Sequence, residues 1–390
     1  MNIDFFKPVT DHYGPYGVWI VNGQYFYRKR DALLYASKNG CPEVKWEYHD
    51  KVWDSFNRDL LGKISLRTLY KERAQQLRDK YDYLILAYSG GSDSHNVLMS
   101  FLENNIKIDQ IFVCMPFKHI NSSEHNPNTL DKTPENLQSE WDFCVKPTLE
   151  YLAKNHPDIK IECSDWMDIF TPEFFKEDTY EKTAWTGTAA QMARFLKYSD
   201  MGIQEVDKGR KVATVWGFEK PFIGIDDTNG RVYMFFNDQA MTLTTNSVGA
   251  FEPFYWTPDM PEVAFEMAYQ QLLYFKANPV MQRFLFRKKS RFNHRLLLEV
   301  HREIIWDTCY SHSWDKTKFQ TGKTQQLNRT DRDHFIFKNK DFNRTLQAWQ
   351  HHHAGYWEGV DPVYMFVNSE QTRYIHSKLF YLGNIDPVVV

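Results

Sequence analysis

The sequence is poor in cysteine, and its cysteines lie too far apart to act in pairs. Its 390 residues contain five, and no two of them approach a Cys-x-x-Cys spacing. They are Cys41, Cys114, Cys144, Cys163 and Cys309. An odd number of scattered cysteines is typical of reduced thiols in a cytoplasmic protein rather than of a disulfide framework. The clustered cysteines that sulfur-transferring enzymes usually need are therefore missing.

The sequence also lacks a long hydrophobic run and an excess of charge of either sign. No apolar segment reaches the length of a membrane span, and residues 1–4 have neither the basic start nor the apolar core of a signal peptide. Lysine and arginine (47) nearly balance aspartate and glutamate (50), so no overall basic field favours nucleic acid or an anionic membrane. We therefore expect a folded, cytoplasmic protein with no membrane partner.

One segment combines an apolar strand with a loop of small polar residues. The strand Tyr83 to Tyr88 runs into Ser89-Gly90-Gly91-Ser92-Asp93-Ser94, and residues 94–104 have the apolar spacing of a helix. The two glycines allow a tight turn with exposed amides, and these amides form an anion site together with the start of the helix. The serines add hydroxyl donors, and Asp93 adds an oxygen ligand suited to Mg²⁺. The segment predicts a polyphosphate site.

The order of residues in this loop distinguishes between kinds of phosphate loop. No lysine follows the glycines as in a Walker loop, and the third glycine of the dinucleotide fingerprint is absent. Residues 89–94 instead resemble the SGGxDS signature of the PP-loop ATP pyrophosphatases, of the adenine nucleotide alpha hydrolase-like superfamily. That superfamily includes the synthetase domain of asparagine synthetase and PAPS reductase. The resemblance implies that residues 89–94 bind ATP, with Mg²⁺ at Asp93, and that ATP is cleaved to AMP and pyrophosphate. The alternative is an ordinary strand-to-helix turn.

The rest of the pattern predicts an α/β fold with a parallel sheet. Strands at 110–115, 159–163 and 211–216 alternate with helices at 134–155, broken near Pro147, and at 188–198. The resemblance implies a Rossmann-like, HUP-type nucleotide-binding core. In such sheets ligands bind beyond the carboxyl ends of the strands, where the strand order changes direction.

Three domains are predicted from changes along the chain. Residues 1–50 form a small appendage, with a hairpin at Asn22-Gly23 and a helix at 32–38 capped by Asp31. Residues 51–240 form the ATP pyrophosphatase domain, which ends in a second hairpin at 221–236. Residues 241–390 form a largely helical or irregular C-terminal region for binding a substrate or partner.

The ends of the other strands supply further candidate residues. By resemblance, adenine lies against the end of the second strand, at Val113, Cys114 and Met115. The alternative is that these three residues are apolar only because they belong to the core strand. Asp165 follows the third predicted strand, where it either faces the crevice or caps a helix.

The turn after the fourth strand is the second candidate site. Asparagine synthetases carry a turn with glycine and glutamate after this strand. Gly217-Phe218-Glu219-Lys220 occupies the analogous place, but its sequence differs clearly from the motif of that family. We expect Gly217 in the nucleotide site and Lys220 neutralising the departing pyrophosphate, while Glu219 binds Mg²⁺ or orients the nucleophile. The alternative is a surface ion pair beside a turn that contains proline.

Three functions are compatible with this sequence. The first is an asparagine-synthetase-like ligase, which adenylates a carboxylate, amide or similar oxygen for attack by nitrogen. Residue 2 is Asn rather than the catalytic Cys of a built-in glutaminase, so ammonia would come from solution or from a separate donor protein. The second is an enzyme that transfers sulfur or an amine to a nucleobase, whose nucleic acid would contact the basic and aromatic residues 283–295. The third is an ATP-binding module without catalysis.

Overall fold

The computed structural model describes twelve stretches of the chain. They are residues 17–27, 29–41, 43–115, 117, 141–169, 197, 201–217, 220–226, 229–238, 249–286, 304–310 and 375–385.

The described residues form three sheets and a set of helices around them. The strands are β1 Val18–Val21, β2 Gln24–Phe26, β3 Lys45–Glu47, β4 Tyr83–Ala87, β5 Gln110–Met115, β6 Lys160–Asp165, β7 Val212–Trp216, β8 Phe222–Ile225, β9 Arg231–Phe235, β10 Ala250–Pro253 and β11 Phe380–Asn384. The α-helices are α1 Lys29–Lys38, α2 Asp50–Ser55, α3 Leu66–Lys80, α4 Ser92–Leu102, α5 Lys146–Asn155, α6 Ile203–Asp207, α7 Pro261–Ala277 and α8 Pro279–Phe286. Short 3₁₀ turns span Arg58–Leu60 and Trp166–Ile169, a π-helical turn spans Trp141–Val145, and residues 304–309 are helical.

The central sheet has five parallel strands in the order β10-β7-β4-β5-β6. The chain therefore builds outwards from β4 to β6, returns to the other side of β4 with β7, and ends with β10. The strand order changes direction between β4 and β7. This arrangement confirms the predicted α/β class with a parallel sheet, and it places the turns after β4 and β7 side by side.

Burial explains why the middle of this sheet is so apolar. Every residue of β4, β5 and β7 is buried, as expected of parallel strands covered on both faces. The edge strand β6 is half exposed and reads Lys-Ile-Glu-Cys-Ser-Asp. Each fully buried Leu or Ile of β4 contributes about 1.5–3 kcal/mol through the hydrophobic effect. The sheet is thus a rigid base for the turns at its carboxyl edge.

Several element boundaries differ from the sequence predictions in ways that affect the site. Helix α4 begins at Ser92 rather than Ser94, so Asp93 lies in the first turn of the helix and not in the loop. Strand β6 continues to Asp165, which pairs with Met115 of β5 instead of following the strand. Helix α1 begins two residues before Asp31, so Asp31 lies in its first turn and is not its cap. The predicted break near Pro147 falls where the π-helical turn meets α5, and nearly all of the helix predicted at 188–198 lies outside the described residues.

The chain after residue 240 contributes more strand than predicted. β10 is the fifth strand of the parallel sheet, and β11 pairs with β9 beside the second hairpin, β8–β9. The parallel sheet therefore takes one edge strand from the segment that the sequence assigned to a helical region. β10 is short, ends in Pro253 and carries a buried glutamate, Glu252, so its sequence has no alternating pattern. Within the described residues, no helix is both long enough and apolar enough to cross a membrane.

The N-terminal sheet, β2-β1-β3, is fixed to the rest of the chain by a buried carboxylate. Its hairpin turns at Asn22 and Gly23, which both have positive φ, as predicted. Asp238, which is fully buried, accepts a hydrogen bond from Trp19 Nε1 at 2.9 Å and pairs with Lys29 Nζ at 2.8 Å. It also accepts the backbone N–H of Ile375, at 2.9 Å. One side chain thus joins the N-terminal hairpin to a segment near the C-terminus.

Candidate active site

The turn after β4 depends on a glycine at position 90. Gly90 has φ of +78°, a conformation that costs little only for glycine. A Cβ there would lie 2.5 Å from Cγ2 of Val145, in the π-helical turn that packs on the loop. The hydroxyl of Tyr88, at the end of β4, donates to Thr148 Oγ1 of α5 at 3.1 Å and holds this side of the loop in place. The sequence predicted the tight turn, and the structure shows that Val145 leaves no room for a side chain at position 90.

The loop is closed by its own serines. Ser94 Oγ accepts the backbone N–H of Ser89 at 3.3 Å and donates to the carbonyl of Gly91 at 3.1 Å. Ser89 Oγ accepts the N–H of Gly91 at 3.4 Å. These bonds are long, so the hydroxyls can exchange them for a ligand at little cost. Ser89 and Ser94 therefore shape the loop and remain within reach of an anion.

The first turn of α4 has free donor capacity. Its N-cap residue is Gly91, which has no side chain to accept from the helix amides. The first hydrogen bond of the helix runs from the N–H of His95 to the carbonyl of Gly91, at 3.1 Å. The N–H groups of Ser92, Asp93 and Ser94 therefore have no partner within the helix. Together with the dipole of an eleven-residue helix, they make this end of α4 electrostatically favourable for an anion.

The turn after β7 reaches the same place and brings two predicted residues together. Lys220 Nζ lies 2.7 Å from Oδ1 of Asp93, and the side chains are 16 % and 35 % exposed. Gly217 lies so close to α4 that a Cβ would be 2.8 Å from the carbonyl oxygen of Asp93. Glu219, the third residue predicted in this turn, lies outside the described residues. Asp93, Gly217 and Lys220 therefore meet where the strand order changes direction, which is where ligands bind in open α/β sheets.

Two tyrosines that the sequence analysis did not identify also contact Asp93. The hydroxyl of Tyr310 donates to Oδ1 of Asp93, and the hydroxyl of Tyr255 donates to its backbone carbonyl at 2.7 Å. Asn96 Nδ2 in turn donates to the hydroxyl of Tyr255 at 3.1 Å. Because these tyrosines lie 162 and 217 residues from Asp93 in sequence, no local pattern relates them to the loop. The sequence alone shows only that the chain is rich in aromatic residues.

Two tyrosines that pack behind Asp93, Tyr255 and Tyr70, are buried, and burial keeps their hydroxyls protonated. Burial, and then the charge of Asp93, raise the pKa of Tyr255 well above its usual value. Tyr70 donates to the carbonyl of Cys309 at 2.7 Å, and burial raises the pKa of this tyrosine as well. Burial raises the pKa of the Cys309 thiol to about 12, so this thiol carries little reactive thiolate at neutral pH.

The residues predicted to contact adenine lie in the core. Val113, Cys114 and Met115 are all buried in β5, the strand next to β4. Asp165 pairs with Met115 at the same edge of the sheet, so the ends of β5 and β6 are level with each other. Residues 287–295 of the basic and aromatic stretch lie outside the described residues, whereas 283–286 belong to α8.

No protein-family model matches the sequence, and no curated protein matches it. The function of this chain is therefore inferred from the geometry around Asp93.

Proposed function

We propose that the protein is an AMP-forming enzyme of the ATP pyrophosphatase type, with a Rossmann-like, HUP-type core. The observation that carries this proposal is the meeting of the Ser89–Ser94 loop with Lys220 at the change of strand order. A glycine-rich anion site, a carboxylate and an ammonium group converge there, and each comes from the carboxyl end of a central strand. The strand order is also that of a dinucleotide-binding sheet, read from β6 to β10.

The residues present fit a triphosphate with magnesium. The positive φ of Gly90 and the uncapped start of α4 leave backbone donors for phosphate oxygens. Among the described residues, no group of three or more His, Cys, Asp or Glu side chains is arranged to hold a metal ion. Mg²⁺ does not need such a group, because it is often bound by one or two carboxylates together with phosphate oxygens and water. Asp93 is the carboxylate that would hold it, and Mg²⁺ would supply charge neutralisation between the phosphates.

Each described residue of the site has a role that follows from its position. The amides of the loop and the start of α4 hold the pyrophosphate as it leaves the α-phosphorus. Lys220 lies next to Asp93 and neutralises the charge that develops on that group. Gly217 gives the turn after β7 its close approach to α4. Glu219 stays in the proposal as the residue that orients the second nucleophile or adds a metal ligand.

The chemistry of the cysteines favours nitrogen over sulfur as that nucleophile. Cys41, Cys114, Cys144 and Cys309 are buried. Cys163 is exposed, but burial of its thiol group and the nearby charge of Glu162 raise its pKa. A thiol with a raised pKa has little reactive thiolate at neutral pH. We therefore infer that a carboxylate, amide or similar oxygen is adenylated and then attacked by ammonia or an amine, which displaces AMP.

The test is to follow ATP labelled at the α-phosphate in the presence of carboxylates and ammonium. We expect AMP and pyrophosphate, and we expect Asp93→Ala to abolish both. Asp259→Ala is the matched control, because Asp259 also pairs with a lysine, Lys80 at 2.7 Å, but lies in a different cluster. This control should retain full activity.

The other products would each overturn part of the proposal. Release of ADP and orthophosphate would exclude cleavage at the α-phosphorus. Binding of ATP without turnover under any condition would leave only a binding module. AMP formation that requires RNA or DNA, or sulfide in place of ammonium, would replace the nitrogen ligase with a nucleobase-modifying enzyme.

A further inference from the structure

We propose that Tyr310 is a positioning residue for the carboxylate of Asp93. Its hydroxyl holds Oδ1 and leaves Oδ2 for a divalent cation that arrives with the nucleotide. This inference rests on the proposed function, because it concerns how the same site accepts its metal. It assigns a role in that site to the segment 304–310, which follows the loop by more than 200 residues.

The two oxygens of Asp93 have different surroundings. Tyr310 donates to Oδ1, and Lys220 Nζ lies 2.7 Å from the same atom. Oδ2 receives no hydrogen bond or ion pair from the part of the chain that the structure describes. The side chain is 35 % exposed, so solvent and ligands reach it. A carboxylate held by one oxygen and open at the other is arranged to bind a cation on the open side.

The hydroxyl of Tyr310 is held by its own support. Tyr310 is 8 % exposed, and its ring lies 6.2 Å from that of Tyr255. The preceding residue is anchored twice, since Tyr70 donates to the carbonyl of Cys309 and Cys309 Sγ contacts the carbonyl of Met267 at 3.5 Å. The tyrosine is therefore fixed before any ligand binds. This is the second layer of support that keeps a binding group in its productive geometry.

A structural role alone does not account for the contact. Asp93 is half exposed, so water would satisfy Oδ1 if the hydroxyl were absent. The backbone of Asp93 is already fixed by Tyr255 through its carbonyl, at 2.7 Å. What Tyr310 adds is a restriction of side-chain rotation. A side chain that is already ordered loses less entropy on binding a metal, which is worth about two- to tenfold in affinity.

The experiment compares two variants that each lose one tyrosine hydroxyl, at opposite ends of β4. Tyr310→Phe removes the contact with Asp93, which follows the carboxyl end of the strand. Tyr83→Phe removes a hydrogen bond of 3.0 Å to Gln110 Oε1 at the amino end and leaves Asp93 and its support untouched. The probe is Mn²⁺ with α,β-methylene-ATP, in which the bond that the proposed reaction breaks cannot be cleaved. Calorimetry on the full chain measures binding of the analogue with Mn²⁺ and with EDTA, and thermal unfolding measures stability.

We expect Tyr310→Phe to weaken Mn²⁺-dependent binding by about two- to tenfold and to leave binding in EDTA unchanged. Tyr83→Phe should lower the melting temperature and keep the metal dependence of the wild type. In an Asp93→Asn background, Tyr310→Phe should have no further effect on Mn²⁺-dependent binding, because the group that it positions is no longer charged.

Equal metal dependence in Tyr310→Phe and Tyr83→Phe would overturn the inference while the proposed function stands. An additional loss from Tyr310→Phe in the Asp93→Asn background would overturn it too, because Tyr310 would then act by another route. If the wild type binds the analogue neither with nor without Mn²⁺, the proposed function fails and the inference fails with it.

Discussion

Two clusters in this protein are built from the same kinds of side chain but differ in what they leave open. One surrounds Glu252 of β10, and the other surrounds Asp93 of α4. Each contains a carboxylate, a lysine and a tyrosine, namely Lys80 and Tyr81 in the first cluster and Lys220 and Tyr310 in the second. The first cluster also contains Arg73, which is completely buried.

The difference lies in the second carboxylate oxygen. Glu252 is 7 % exposed, with Arg73 Nη2 at 2.8 Å from Oε2 and Lys80 Nζ at 3.0 Å from Oε1. Burial alone would raise the pKa of Glu252, but the charge of Arg73 and hydrogen bonds from Tyr81, Arg73 and Lys80 hold it below the usual value. Both contacts of Asp93 fall on Oδ1. A saturated carboxylate fastens β10 to α3, whereas a half-saturated and half-exposed one keeps the capacity to bind a ligand.

The largest effect on stability should come from Glu252→Gln. This change leaves the buried Arg73 without a counter-ion, so we expect the free energy of unfolding to fall by about 3–5 kcal/mol at pH 7. Urea denaturation measures it. The pKa of Glu252 is lowered by folding, so its stabilisation is present above the usual pKa of 4.5 and disappears as the pH falls through the folded value. Wild type and variant should therefore converge in acid, and a constant difference down to pH 3 would contradict this.

The lysines of the two clusters should separate stability from activity. Lys220→Met should lower the rate of AMP formation by about 100-fold, because it removes a cation from the departing pyrophosphate. Lys80→Met is the matched change in the other cluster. It should cost about 1 kcal/mol or less, since Lys80 is 44 % exposed, and it should leave the rate unchanged. Radiolabelled product formation and urea melts on both variants measure the two effects, and equal rates would remove the distinction between the clusters.

Gly217→Ala should disturb the Asp93 cluster without changing any charge. Its Cβ would lie 2.8 Å from the carbonyl oxygen of Asp93, so we expect a loss of about 1–3 kcal/mol in stability and weaker nucleotide binding. Gly224→Ala is the control, because the nearest atom to a Cβ there is 3.5 Å away, on Phe235. Calorimetric titration with the ATP analogue compares them. Unchanged binding in Gly217→Ala would show that α4 tolerates displacement.

The smallest effect should come from a third carboxylate, Asp50, which burial and the charge of Glu47 destabilise. They raise its pKa from 3.8 to about 6, and the backbone N–H of Tyr48 and the charge of Lys378 offset only part of this. Because the folded pKa is the higher one, the wild type loses stability as the pH rises from about 4 to 6. Asp50→Asn should therefore gain about 1 kcal/mol at pH 7.5 and nothing at pH 4, after allowance for solvent screening of a half-buried group. Thermal melts at the two pH values measure this difference.

The sequence predicted local features well, because each depends on neighbouring residues. Residues 83–94 specify a buried strand, a glycine turn and a helix start within twelve positions, and the structure has all three. The turns that carry Asp93 and Lys220 were expected to lie close together, since the ends of parallel strands meet at one edge of the sheet, but the ion pair itself is a finding of the structure. The burial of β10 could not be predicted from its sequence, because a glutamate, Glu252, occupies a core position in this strand.

The partners of Asp93 and Glu252 could not be predicted, because they depend on distant packing. Tyr255 and Tyr310 are two among 22 tyrosines, and nothing near them in sequence distinguishes them from core residues. Arg73 lies on a polar helix, α3, whose charged residues suggest exposure, yet this arginine is completely buried against Glu252. Glu219 and residues 287–295 remain predictions.

The partners of Asp238 are synthesised at widely separated times. Its partners Trp19 and Lys29 leave the ribosome early, whereas Ile375 emerges only after more than 300 further residues. At 5–20 residues per second this interval is some tens of seconds. The hairpin β1–β2 is thus made early, whereas the contacts of its anchoring carboxylate are completed late. Until Ile375 is made, the buried ion pair of Lys29 with Asp238 lacks one of its hydrogen-bond partners. During that time the N-terminal sheet lacks contacts from residues that have not yet been translated.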